Sequence, residues 1–135
     1  MDSTSSRETL NLLEERVPPH NLEAEMALLG AMLLSEEARL LAIEQVRTGY
    51  FYKKANSRIF EAICKLFEAN QPCDLVTLTD LLNRENILKE LGGPAYLAGL
   101  IDLVPTPSNI GQYIRITEEH FIRRSLIDGC SKIIS

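Results

Sequence analysis

The 135-residue chain has no tryptophan, and its aromatic packing rests on four tyrosines and four phenylalanines. It has three cysteines, Cys64, Cys73 and Cys130. Their odd number and uneven spacing fit neither a disulfide framework nor a zinc ligand set. No apolar run approaches the ~18 residues that a membrane span requires. The longest, residues 26–34, is interrupted by Gly30. The first ten residues are polar apart from Met1 and Leu10 and contain no apolar core of a secretory signal. These absences together lead to the expectation of a reduced, cytoplasmic protein without a membrane partner. Positive charge is also short, with 14 basic against 19 acidic residues and a net charge of −5. A domain that lives by gripping a phosphate backbone usually shows the opposite sign.

Catalytic signatures are equally sparse. Neither G-x-x-x-x-G-K-[S/T] nor G-x-G-x-x-G occurs, so no phosphate-cradling loop is expected. Of the two histidines, His20 sits beside Pro18–Pro19, where the chain enters its first helix. His120 lies in a helix with Ile116, Thr117, Arg123 and Arg124 at the positions where a second metal ligand would stand. Cys64 falls on an apolar helix face, with none of the basic surroundings that activate a thiol. Glu23 and Glu25 are two positions apart and diverge on a helix, so they read as charges complementing its dipole. No catalytic, cofactor-binding or metal-ligating residue is assigned, and the chain itself reads as not an enzyme.

What is present is helical patterning. Residues 1–16 read as a flexible, Ser/Thr-rich arm that carries Leu10, Leu12 and Leu13. After the prolines, Asn21 is a candidate N-cap and Leu22, Met26, Leu29 and Leu33 keep one face over Leu22–Leu34. Leu28 and Met32 widen that face, which implies burial between several neighbours. Gly30 implies close approach of another helix. Ser35 caps a second helix over about 36–46, and Gly49 is a stop signal. Tyr50, Phe51 and Tyr52 form an aromatic plug over a helix end. A third helix is expected over 57–69 with Asn56 as its cap, and a fourth from Thr77, in a variant capping box with Asp80, through Arg84. A turn over 87–91 closes at Gly92–Gly93, and Pro94 opens a helix over 94–103. Residues 73–77 are the best candidate for extended chain. No segment alternates over the length of a sheet strand.

The expected fold is therefore all-α: a globule of about five short helices over residues 17–107, then one long protruding helix over 108–135. At 1.5 Å per residue the last helix is roughly 40 Å long, more than a small globule covers. It carries four bases and three acids. Beyond its first turns, Leu126 and Ile133 form one stripe and Ile127, Cys130 and Ile134 another. Exposed apolar stripes of this kind mark interfaces. Tyr113, Phe121, Leu126, Ile127, Cys130 and Ile134 are the candidate self-association residues. The pattern reaches the last residue with no Gly or Pro stop, as in a chain cut inside a helix.

The order of signals has a counterpart in a known family. It begins with Pro18-Pro-His-Asn-Leu-Glu-Ala-Glu25 and Leu29-Gly-Ala-Met-Leu33. Phe51-Tyr52, Arg58-Ile-Phe-Glu-Ala-Ile63 and Asp74-Leu-Val-Thr-Leu78 follow. Leu91-Gly-Gly-x-x-Tyr96-Leu97, then Pro105, Pro107, Asn109 and Tyr113, and Arg123-Arg-x-Leu126-Ile127 complete the set. This arrangement resembles the N-terminal domain of the bacterial replicative DNA helicase DnaB family. One departure is Asn56, where that family often has His. The resemblance implies a globule followed by a helical hairpin, of which residues 108–135 would be the first helix. It implies pairing with other copies in a ring of dimers and docking of primase and of a helicase loader. It places ATP, Mg2+ and DNA translocation in a C-terminal motor absent from this chain. Beside this resemblance, a free-standing replication adaptor or helicase-loading regulator is a second reading, and a small helical enzyme or metal protein a third.

Overall fold

The computed structural model describes residues 18, 20–104 and 106–134, without the side chains of Ser131 and Ile134. The expected arm at 1–16 and the expected break at Pro105 lie outside the described residues. Six α-helices occur among those residues and no strand does: α1 (Leu22–Leu34), α2 (Glu36–Gln45), α3 (Lys54–Glu68), α4 (Leu75–Arg84), α5 (Gly93–Asp102) and α6 (Ile110–Ile134). Short 3-10 turns at Thr48–Tyr50 and Pro107–Asn109 precede α3 and α6.

α1 is the axis of the globule. The Asn21 side chain accepts from the Ala24 amide at 3.0 Å and starts the helix. Leu28, Leu29, Ala31 and Met32 are fully enclosed, and the helix touches α2, α3, α5 and α6. A helix apolar around most of its circumference has to lie inside. Ser35 then serves both neighbours. Its amide closes α1 on the Ala31 carbonyl at 3.0 Å, and its hydroxyl accepts from Ala38 to open α2. α2 stops at Gln45, with extended Val46 after it, so Gly49 lies beyond the stop, inside the first 3-10 turn.

Two expected helix starts differ from the observed ones. α3 begins at Lys54 rather than at 57, and Asn56 is a fully buried residue of its first turn, not its cap. α4 begins at Leu75 rather than Thr77, because the Asp74 carboxylate accepts from the Thr77 amide at 2.8 Å. Asp74 is the better cap, since a charged acceptor binds the first-turn amides more strongly than a hydroxyl. Of residues 73–77, expected to be extended, only 73 and 74 lie outside a helix, and 75–77 form the first turn of α4. The turn before α5 holds Gly92 at φ 107° and Gly93 at φ 74°, both in the left-handed region that glycine tolerates.

Gly30 does what its sequence setting implies. A Cβ there would lie 2.5 Å from Val104 Cγ2 and 2.8 Å from the Leu100 carbonyl carbon. The missing side chain lets α5 seat directly on α1. Gly30→Ala gains helix propensity of about 1 kcal/mol but forces that seam apart. The expected result is a net loss of about 1–3 kcal/mol in urea denaturation; an equal or higher midpoint would count against the close approach.

The Asp74 cap makes stability depend on acid. Hydrogen bonds from the Thr77 backbone, then from its side chain, hold this carboxyl below its ordinary value. With the folded value lowered, the contribution is complete above the unfolded value and disappears as pH falls through the folded one. Asp74→Ala should cost about 1 kcal/mol at pH 7. The gap between variant and parent should close on acidification through that range, as read by thermal denaturation at stepped pH.

Candidate functional site

The geometry that positions the long helix begins at a residue first read as a dipole charge. Glu25 is only 1% exposed. Its carboxylate accepts from the Tyr52 amide at 2.8 Å, the Lys53 amide at 3.4 Å and Asn56 Nδ2 at 3.0 Å. Asn56 Oδ1 in turn accepts from the Tyr96 hydroxyl. The chain thus joins α1 to the segment before α3, then to α3 itself and α5. Burial, followed by the charge of Glu25, raises the Tyr96 phenol above its ordinary value, against the lowering effect of the Asn56 bond. Tyr96 therefore keeps its proton and keeps donating. Lys53 Nζ lies 4.3 Å from the centre of the Tyr96 ring.

The aromatic trio is pinned by this anchor, and each ring takes a different neighbour rather than forming one plug. Tyr52 stacks on His20 at 4.3 Å and 11°. Phe51 is buried against Phe60, with ring centres 5.3 Å apart. Tyr50 meets Phe121 of α6 at 4.8 Å. Arg124, one turn further along α6, donates from Nη2 to the Tyr50 carbonyl at 2.7 Å. Its guanidinium lies 5.6 Å from the Tyr52 ring centre and 5.9 Å from that of Phe121. Burial lowers the Arg124 pKa below its ordinary value, partly offset by Glu25 and Tyr52.

Up to this latch α6 lies on the globule. Ile110, Ile114 and Thr117 are buried, and Tyr113 donates to the Thr106 carbonyl at 3.4 Å. Past it the helix leaves: Leu126 is 64% and Ile133 87% exposed.

The family of DnaB-like helicase N terminal domains matches residues 17–119. The chain belongs to that family. It is similar to the replicative DNA helicase DnaB of Treponema pallidum (strain Nichols), 43% identical over 115 residues, which is 85% of this chain and 26% of that protein. It is 42% identical over 123 residues to the replicative DNA helicase DnaC of Bacillus subtilis (strain 168), 91% of this chain and 27% of that protein. The chain thus spans about a quarter of the length of these curated relatives. The crystal structure of the N-terminal domain of DnaB helicase from Mycobacterium tuberculosis superposes with a TM-score of 0.85 at 37% identity, covering 87% of this chain and 86% of that one. The helical architecture is therefore that of the DnaB N-terminal domain.

Within this fold the six sequence candidates separate. Tyr113 and Phe121 are part-buried in contacts within the chain. Leu126 and Cys130 are exposed and Ile127 is half-buried beyond the latch. The Ile134 side chain lies outside the described residues. His120 directs Nδ1 to the Ile116 carbonyl at 2.8 Å. The Cys64 thiol is pushed up to about 11 by burial, with Glu68, Cys73 and Glu61 adding to it, and so stays protonated. Sequence reasoning missed Glu25, Asn56 and Arg124 as structural joints. The one available signal was Glu25 itself, an acid within the otherwise apolar face of α1.

If the joint acts as a unit, its deletions are not additive. Glu25→Gln should cost about 1.5–3 kcal/mol, since it weakens bonds to a charged acceptor, and Tyr96→Phe about 1 kcal/mol. In urea denaturation the double variant should lose less than the two single losses combined; strict additivity would uncouple the two residues.

Proposed function

We propose that this chain is the assembly domain at the front of a hexameric, ATP-dependent replicative DNA helicase, and that it pairs with other copies through the distal half of α6. The observation that carries the reading is the exposure of Leu126 and Ile133 beyond the Arg124 latch, on a helix whose root is fixed. Apolar side chains in water on a rigid lever gain most by meeting a like surface. Among the described residues, no other helix covers Leu126 or Ile133. Family membership and the named helicases among its relatives support the same reading.

In this proposal primase and a helicase loader dock on the assembled domains in the cytoplasm. ATP with Mg2+ and the DNA strand are handled by the motor portion of the helicase, for which this chain supplies no phosphate loop. Its own contribution is binding and geometry rather than bond chemistry. No helix among the described residues is long and apolar enough to cross a membrane.

The test replaces Leu126 and Ile127 together by Glu and follows mass by light scattering. Leu126 is already in solvent, so the variant should keep its far-UV circular dichroism. The parent chain is expected to self-associate and the variant to do so at least tenfold more weakly. Adding the cognate primase should raise the mass of the parent saturably. An unchanged dimer population in the variant, or a parent that is strictly monomeric, overturns the pairing surface.

A further inference from the structure

The inward stripe of α6 has a flaw at its centre. Ile110, Ile114, Thr117, Phe121 and Arg124 follow at intervals of four, three, four and three. That spacing aligns them on one face of a helix. Ile110 is 6%, Ile114 3% and Thr117 2% exposed. An apolar side chain suits the middle position, yet Thr117 buries a hydroxyl there. Its oxygen has no hydrogen-bond partner among the described residues. A buried polar atom left unpaired loses its hydration and regains nothing. The latched seat of α6 thus carries a built-in cost.

The stripe is bounded differently at its two ends. Toward the distal end stands the latch, with the Tyr50–Phe121 ring contact and the bond from Arg124 to the Tyr50 carbonyl. Holding Arg124 there removes part of its hydration, as the lowering of its pKa by burial shows. Beside the first turns there is room instead. Tyr113 and Ile116 line a groove of about 320 Å3 with Ala24 and Ala27 of α1 and Leu103 at the end of α5. Two alanines leave this space because each side chain is a single methyl group. Leu103 is 39% exposed at its wall. Ahead of α6 lies the 3-10 turn Pro107–Asn109, and a few residues at the end of an element are where hinges sit.

We propose that α6 is a two-position lever that pivots at Pro107–Asn109. In the second position Tyr113 and Ile116 move into the groove against Ala24, Ala27 and Leu103, the latch is open, and Thr117 and Arg124 reach water. The motion needed is small. Thr117 is ~10 Å along the helix from Ile110, so a swing of about 15° moves it by about one water diameter, ~3 Å. The same swing carries the far end of the helix through about 9 Å. Burial of Tyr113 and Ile116 and hydration of Thr117 favour the second position, and the latch favours the first. The direction of Leu126 and Ile133 is then a switched property, held by the latch. The lever stands whether or not the distal end pairs with another copy.

Methyl relaxation dispersion on the full-length chain provides the test, because it reads minor states that exchange in microseconds to milliseconds. Exchange is expected at Ile114, Ile116 and Leu103, with the same minor population at two protein concentrations. Thr117→Val removes the unpaired hydroxyl and should lower that population by about fivefold or more. Arg124→Gln opens the latch and should raise it by about fivefold or more. Far-UV circular dichroism should be unchanged in both. A profile that is flat in parent and Arg124→Gln alike overturns the proposal, as does a population that Thr117→Val leaves unchanged. Exchange that grows with concentration also overturns it, and assigns the motion to self-association. Light scattering reads pairing separately, so either idea can fail alone.

Discussion

A carboxylate taken out of water is costly unless its lone pairs are used, and the fold is arranged around that demand at Glu25. Two of its three donors are consecutive backbone amides, Tyr52 and Lys53, and the third is Asn56. The segment between α2 and α3 would otherwise be a loop free to drift. Held on α1, it becomes the platform that fixes everything above it. Tyr50 presents its carbonyl to Arg124 and its ring to Phe121 because Tyr52, two residues on, is tied down. One buried acid on the central helix thus sets the direction in which α6 departs.

That direction matters because the distal half of α6 has little support of its own. Short isolated helices are marginal in water. The exposed Lys132–Asp128 pair, 3.0 Å apart on successive turns, adds only a few tenths of a kcal/mol. Persistence of the helix past Arg124 is therefore a property of its rooted first half and of whatever covers Leu126 and Ile133. In the pairing proposed above, the latch supplies rigidity and the apolar end affinity, so the two tasks fall on separate residues.

The helical architecture was legible from periodicity and caps: Asn21, Ser35, Pro94 and the Gly92–Gly93 pair all mark boundaries where the chain turns. The close approach at Gly30 was legible because a mid-helix glycine needs a packing reason. What sequence could not reveal were the joints between distant positions. Glu25 and Asn56 are 31 positions apart, and Tyr50 and Arg124 are 74 apart. Local rules assign Glu25, Asn56 and Tyr50 ordinary local roles: a dipole charge, a cap and part of an aromatic plug. Tertiary pairing overrode those roles one by one. The start of α4 differs in kind: there one local cap, Asp74, displaced another, the capping box three residues later.

Asn56 shows how a substitution can preserve such a joint and change its response. The position requires one donor toward Glu25 and one acceptor toward Tyr96, and the Asn side chain offers both. A neutral histidine at this position would offer the same pair from its two ring nitrogens. Protonated, however, histidine becomes a donor on both sides and loses the acceptor that the Tyr96 hydroxyl needs. In a histidine-bearing relative the link from α1 to α5 would therefore carry a titratable group at its centre. In this chain that group is replaced by an amide that keeps both roles at every physiological pH. Asn56 itself thus adds no titrating group between Glu25 and Tyr96.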